Sequence, residues 1–173
     1  MRILLAIALL LFATASQGAE SPYVEGADAK ADIRASFEQA SKANVPVMVV
    51  FGANWCRDSQ VLATALKTGP TAELIQNNFS VVMVDVGRFD RNVELAESYG
   101  IPLKNGTGIP AVAVLSLQGN VVYATRAGEL ARARSMGDKA IHDFFADIPV
   151  PAEGIREATG CPAPKQGDEA VAS

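Results

Sequence analysis

Residues 45–60 read VPVMVVFGANWCRDSQ, and this stretch decides how the rest of the chain is read. Val47 through Phe51 are mostly β-branched and continuously apolar, which predicts a strand covered on both faces. Gly52 through Trp55 predict a turn. Cys56 then opens a helix that carries Val61, Leu62, Ala65 and Leu66. A cysteine at a helix N-terminus faces unpaired backbone N–H groups and the positive end of the helix dipole. Both favour the thiolate, the form that attacks disulfides. Arg57 adds positive charge beside it, and Asp58 opposes that effect. The alternative is an inert, buried cysteine.

Ser59 follows Cys56 by three residues, one helical turn on and on the same face. A second cysteine there would resolve a mixed disulfide by forming an S–S bond, which a serine cannot do. Its hydroxyl can donate a hydrogen bond to the thiolate, or satisfy a backbone amide at the helix start. Any exchange at Cys56 must therefore be resolved by another thiol.

Working outward, Asp28 predicts the cap of a helix over 29–43, with Ile33, Phe37 and Ala40 at helical spacing. Asn44 and Pro46 end it. Gly69-Pro70 breaks the helix after Cys56, and Thr71 is expected to cap a short one. Residues 79–86 (FSVVMVDV) predict a second buried strand, and 92–99 a short helix. GIPLKNGTGIP (100–110) reads as a loop. AVAVLSL and VVYATRAG flank QGN, a hairpin signal. A last helix is predicted over about 135–146. A β–α–β unit followed by a hairpin implies an α/β fold, a mixed sheet with helices on both faces.

The chain has 173 residues, enough for about one domain, and 49% are apolar. Arg2 followed by an uncharged apolar run and small residues predicts a signal peptide over 1–19, cleaved between 15 and 19. The run is shorter than the roughly 20 residues of a spanning helix, so no stable membrane insertion is expected after cleavage. Export, periplasmic or secreted, implies an oxidising compartment. Residues 20–27 read as a flexible lead-in, 28–148 as the domain, and 149–173 as a Pro/Gly/Ala-rich tail containing Cys161. The net charge of −4, without basic clusters, argues against nucleic acid as a partner. His142 is the only histidine, and with two distant cysteines it cannot complete a zinc site from Cys and His alone. No metal and no cofactor are expected, and the oligomeric state is not predicted.

VMVVFGANWCRDS, VVMVDV and GIPAVAVLSLQGNVVYATRAGEL together resemble the thioredoxin-like superfamily over roughly residues 30–146. The likeness points to the periplasmic branch that includes the C-terminal domain of the transmembrane disulfide reductase. It implies a thioredoxin-like fold, with the W-C-x-x-C motif matched at Trp55 and Cys56 but broken at Ser59. It also implies a cis-proline at Pro110, beside the cysteine. Trp55, Arg57, Ile109 and Pro110 are then the expected substrate-binding residues, with Cys56 and Ser59 the catalytic pair. Many relatives carry a buried acid six positions before the first cysteine, where this chain has Val50. The longer 102–108 loop is expected to overhang Cys56. The P-x-x-x-[TS]-x-x-C pattern of peroxiredoxins is absent.

Three functions follow. Cys56 exchanges disulfides as a monothiol, as an isomerase or in removing glutathione, with protein thiols or disulfides, and glutathione, as partners. Alternatively the groove holds an extended peptide without catalysis, or Cys56 and Cys161 form a redox switch.

Overall fold

The computed structural model describes residues 21–150. The signal peptide and its cleavage sites lie outside the described residues, as do Cys161 and the tail from residue 151. Five helices and four strands are described: α1 (Ala29–Ala43), β1 (Val47–Gly52), α2 (Arg57–Ala65), α3 (Gly69–Asn78), β2 (Ser80–Asp85), α4 (Val93–Ser98), β3 (Ala111–Leu115), β4 (Val121–Ala124) and α5 (Gly137–Ala146). Two short 3-10 turns, Leu103–Asn105 and Ala133–Ser135, interrupt the longer connections.

The Asp28 side chain caps α1 by accepting from the amides of Lys30 and Ala31. Asn44 ends α1 in the left-handed conformation at φ 57°, which asparagine tolerates better than most residues. Pro70 lies in the first turn of α3, and Thr68, not Thr71, is its N-cap. Gly69-Pro70 therefore opens a helix as well as closing the one before it. Proline is favoured at that position because its missing N–H would be unpaired anyway. Thr71 is buried inside α3.

The sheet order is β2-β1-β3-β4, with β1 parallel to β2 and antiparallel to β3, and β3 antiparallel to β4. β1 is thus central, and all six of its residues are buried. Its side chains divide between two cores. Val47, Val49 and Phe51 join Ile33 and Ala40 of α1 and Val93 and Ala96 of α4. Met48 and Val50 join Leu62, Ile75, Ile141 and Phe145 from α2, α3 and α5. Each such side chain contributes about 1.5–3 kcal/mol on burial, which explains why an uninterrupted apolar run was needed here.

The register places the site. Gly52 pairs with Asp85 on one side, and Phe51 pairs with Ala111 on the other. The segments after β1, after β2 and before β3 therefore meet at one end of the sheet. That end is where α/β sheets commonly bind ligands.

Candidate functional site

Cys56 is the N-cap of α2, with its amide bonded to the Ala53 carbonyl at 3.1 Å and its own carbonyl accepting from Gln60 N–H at 3.1 Å. The side chain is half-buried and is the one cysteine among the described residues. Its Sγ–H donates to the Ile109 carbonyl at 3.5 Å. The Ile109–Pro110 peptide bond is cis. Ile109 and Pro110 were expected to contact substrate, but both side chains are buried, and Ile109 belongs to the α1-side core. It is the Ile109 backbone that faces the sulfur.

Ser59 is fully buried, and its hydroxyl has no hydrogen-bond partner among the described residues. The sequence offered it two partners, the Cys56 sulfur and a backbone amide. Neither bond is present. Asp58 does not sit against Cys56 either. It is buried, accepting from Arg134 N–H at 3.0 Å and lying 3.5 Å from Arg134 Nε, which ties α2 to the turn before α5. Arg57 points to solvent. Val61 faces outward, while Leu62, Asp58 and Ser59 take the buried positions. Val50 is fully buried among apolar side chains, so no acid lies at that position.

Trp55 is 49% exposed, and its Nε1–H donates to the Gly87 carbonyl at 2.7 Å. That bond brings the 87–92 loop alongside the cysteine. Phe89 meets the indole edge-on at 6.1 Å, and the Arg88 guanidinium lies 5.9 Å from the ring centroid. Phe89 is 42% exposed yet holds φ 64°, a conformation that costs a bulky residue energy. Arg88 and Phe89 were missed in the sequence because nothing in GRFD signals a left-handed turn at phenylalanine.

Tyr23 was missed too. The segment 20–27 was expected to be flexible, but Tyr23 is fully buried. Its N–H donates to Asn54 Oδ1 at 3.2 Å, and Asn54 Nδ2 donates to its carbonyl at 2.7 Å. Its hydroxyl reaches the Ser59 carbonyl at 3.5 Å. Burial pushes the phenol well above the ordinary tyrosine range, and the nearby Cys56 raises it further. An isolated tyrosine in a polar stretch carries no periodicity to reveal such a role.

The 102–108 loop, expected over Cys56, is tied down elsewhere. Leu103 is buried in the α1-side core, and Lys104 pairs with Glu94 and Glu97 of α4. Gly128 packs against the Thr107 carbonyl. The cysteine is contacted instead by Ile109, which follows the loop. His142 sits on α5 with its Nδ1 3.6 Å from Asp143. Among the described residues, no three His, Cys, Asp or Glu side chains converge to hold a metal. No described helix is long and apolar enough to cross a membrane.

The pattern of a family described as thioredoxin-like matches residues 28–116. Among solved structures, a disulphide isomerase from Xylella fastidiosa Temecula1 is similar at 44% identity, covering 76% of this chain and 98% of that one, with a TM-score of 0.71. Among curated proteins no sequence match is found.

Proposed function

The chain belongs to the thioredoxin-like family, and from that premise we propose that it shuffles disulfides in exported proteins, with Cys56 as its single reacting thiol. The observation that carries this reading is the placement of the Cys56 sulfur. It is half-buried at the N-cap of α2, 3.5 Å from the carbonyl of a cis peptide unit, with a serine in the next turn. The similarity to a solved disulphide isomerase supports the same chemistry.

The Cys56 thiolate attacks one sulfur of a substrate disulfide. A Cys56–substrate disulfide forms, the original S–S bond breaks, and the other substrate sulfur leaves as a thiolate. A second substrate thiolate then attacks the mixed disulfide, forms a new substrate S–S bond and releases Cys56. No electrons are gained or lost overall. Isomerisation therefore needs no second cysteine in the enzyme, and Ser59 is compatible with a complete cycle. Net reduction would need an outside thiol.

The Ile109 backbone, which faces the sulfur, and the exposed indole of Trp55 with the Phe89 edge packed on it would hold the substrate chain. The export assignment is supported by Arg2 and the apolar run behind it. The test is intact-mass measurement after mixing the mature protein with a disulfide-linked peptide. The wild type should gain one peptide half, which reductant removes, and Cys56→Ala should gain none. Capture of glutathione but not of peptide would move the assignment to deglutathionylation. Equal peptide binding by Cys56→Ala, with no covalent adduct in either protein, would make the domain a binding module.

A further inference from the structure

We propose that Tyr23 is a positioning residue for the Cys56 thiolate, acting through the Ser59 backbone, which carries a buried hydroxyl. The inference rests on the reading of Cys56 as the reacting thiol and extends it to a segment outside the W-C-x-x-S motif.

Tyr23 has a built seat. A Cβ placed on Gly52 would lie 2.3 Å from Tyr23 Cζ and 2.4 Å from its hydroxyl oxygen, so the ring occupies the space that a side chain at 52 would need. Two reciprocal hydrogen bonds clamp its backbone to Asn54, two residues before the cysteine. The phenol donates to the Ser59 backbone carbonyl at 3.5 Å. Burial keeps the hydroxyl protonated, so it stays a donor at any pH where the protein works.

The unpartnered Ser59 hydroxyl gives this placement its meaning. A fully buried hydroxyl without a partner is costly and calls for an explanation. As a thiol, Cys56 donates to the Ile109 carbonyl. Once it loses its proton, that bond is gone and the sulfur becomes an acceptor only. Ser59, one turn on along the same face, is a neighbouring donor with no partner among the described residues. By donating to the Ser59 backbone carbonyl, Tyr23 fixes the residue that carries this hydroxyl.

The charged groups around the site are engaged elsewhere. Asp58 is held by Arg134, Asp85 by Arg91, and Lys104 by Glu94 and Glu97, while Glu129 accepts from the amides of Arg126 and Ala127. Arg57 is exposed, and Arg88 stacks over Trp55.

The experiment is the rate of Cys56 alkylation by iodoacetamide from pH 5 to 10, on mature protein checked for fold by circular dichroism. Tyr23→Phe should move the half-maximal pH upward and slow alkylation near pH 7 by about threefold, the scale of one weakened hydrogen bond to a charged group. Ser59→Ala should also move it upward, and Tyr23→Phe added to Ser59→Ala should change nothing more. A folded Tyr23→Phe with the wild-type profile overturns the proposal, as does an equal further shift on top of Ser59→Ala. If Tyr23→Phe does not fold, Asn54→Ala, which cuts both backbone clamps, takes its place with the same two outcomes. The profile needs no disulfide substrate. It can stand while peptide capture fails, so the two readings fall separately.

Discussion

Tyr23 lies across Gly52: the ring fills the volume in which a Cβ at 52 would sit 2.3 Å from Cζ. The two residues are 29 apart in sequence, and each determines what the other can be. Gly52→Ala should cost about 1–3 kcal/mol through overpacking. Tyr23→Ala should cost about 3–5 kcal/mol by removing a buried ring. Combined, the changes should cost less than their sum, because the new methyl group no longer meets the ring. Urea unfolding of the three variants measures this, and strict additivity would show that the contact is not made.

Alkaline pH should destabilise the protein through the same phenol. Burial raises the folded-state pKa of Tyr23 above its unfolded value of about 10. The folded chain then keeps a proton that the unfolded chain releases. The stabilisation is complete below about pH 10 and is lost as pH rises from there toward the folded value. The slope is about 1.4 kcal/mol per pH unit for each such group. Desolvation also raises Tyr99 and Tyr123, so Tyr23→Phe should make the fall shallower without abolishing it. Urea midpoints between pH 9 and 11.5 for both proteins test this, and parallel curves would contradict it.

Phe89 should trade stability for binding. Its φ of 64° is one that glycine adopts freely, and 42% of the side chain faces solvent. Phe89→Gly should therefore gain up to about 1 kcal/mol by relieving backbone strain. It should also weaken capture of disulfide peptides severalfold, because the aromatic edge beside Trp55 is lost. Phe89→Ala should weaken capture alike without the gain. Thermal unfolding and capture rates measured together check this, and unchanged capture would remove Phe89 from the binding surface.

Asp58 should matter more than its ion-pair partner. It satisfies the buried-side Arg134 amide, so Asp58→Ala leaves a backbone N–H unpaired, at a cost of about 1–3 kcal/mol. Arg134→Ala keeps that amide bond and loses only a 3.5 Å ion pair whose arginine is exposed, worth about 0–1 kcal/mol. Denaturant midpoints would rank the two, and the reverse order would show that the charge pair dominates.

Local signals in the sequence carried much of this structure. The apolar run 47–51, the Asp28 cap and the QGN hairpin each declare their conformation through neighbouring residues, and each is observed. Cys56 at the start of α2 was legible for the same reason. What was not legible depends on distant contacts. Tyr23 looks like part of a loose leader until Gly52 and Asn54 are brought to it by the fold. Asp58 reads as a charge acting on Cys56 until Arg134, 76 residues on, meets it. Thr71 is as plausible a cap as Thr68, and only backbone geometry separates them. The Ser59 hydroxyl was readable as a candidate donor, but its lack of any partner appears only once it is buried.

The most direct measurement of the central claim uses a protein substrate with scrambled disulfides and a trace of free thiol, in the absence of any oxidant or reductant. The mature wild type should restore native pairings and substrate activity catalytically, with a Cys56–substrate adduct trapped on acid quench. Cys56→Ser should match the uncatalysed control. Equal rates for wild type and Cys56→Ser, with no adduct, would contradict the account.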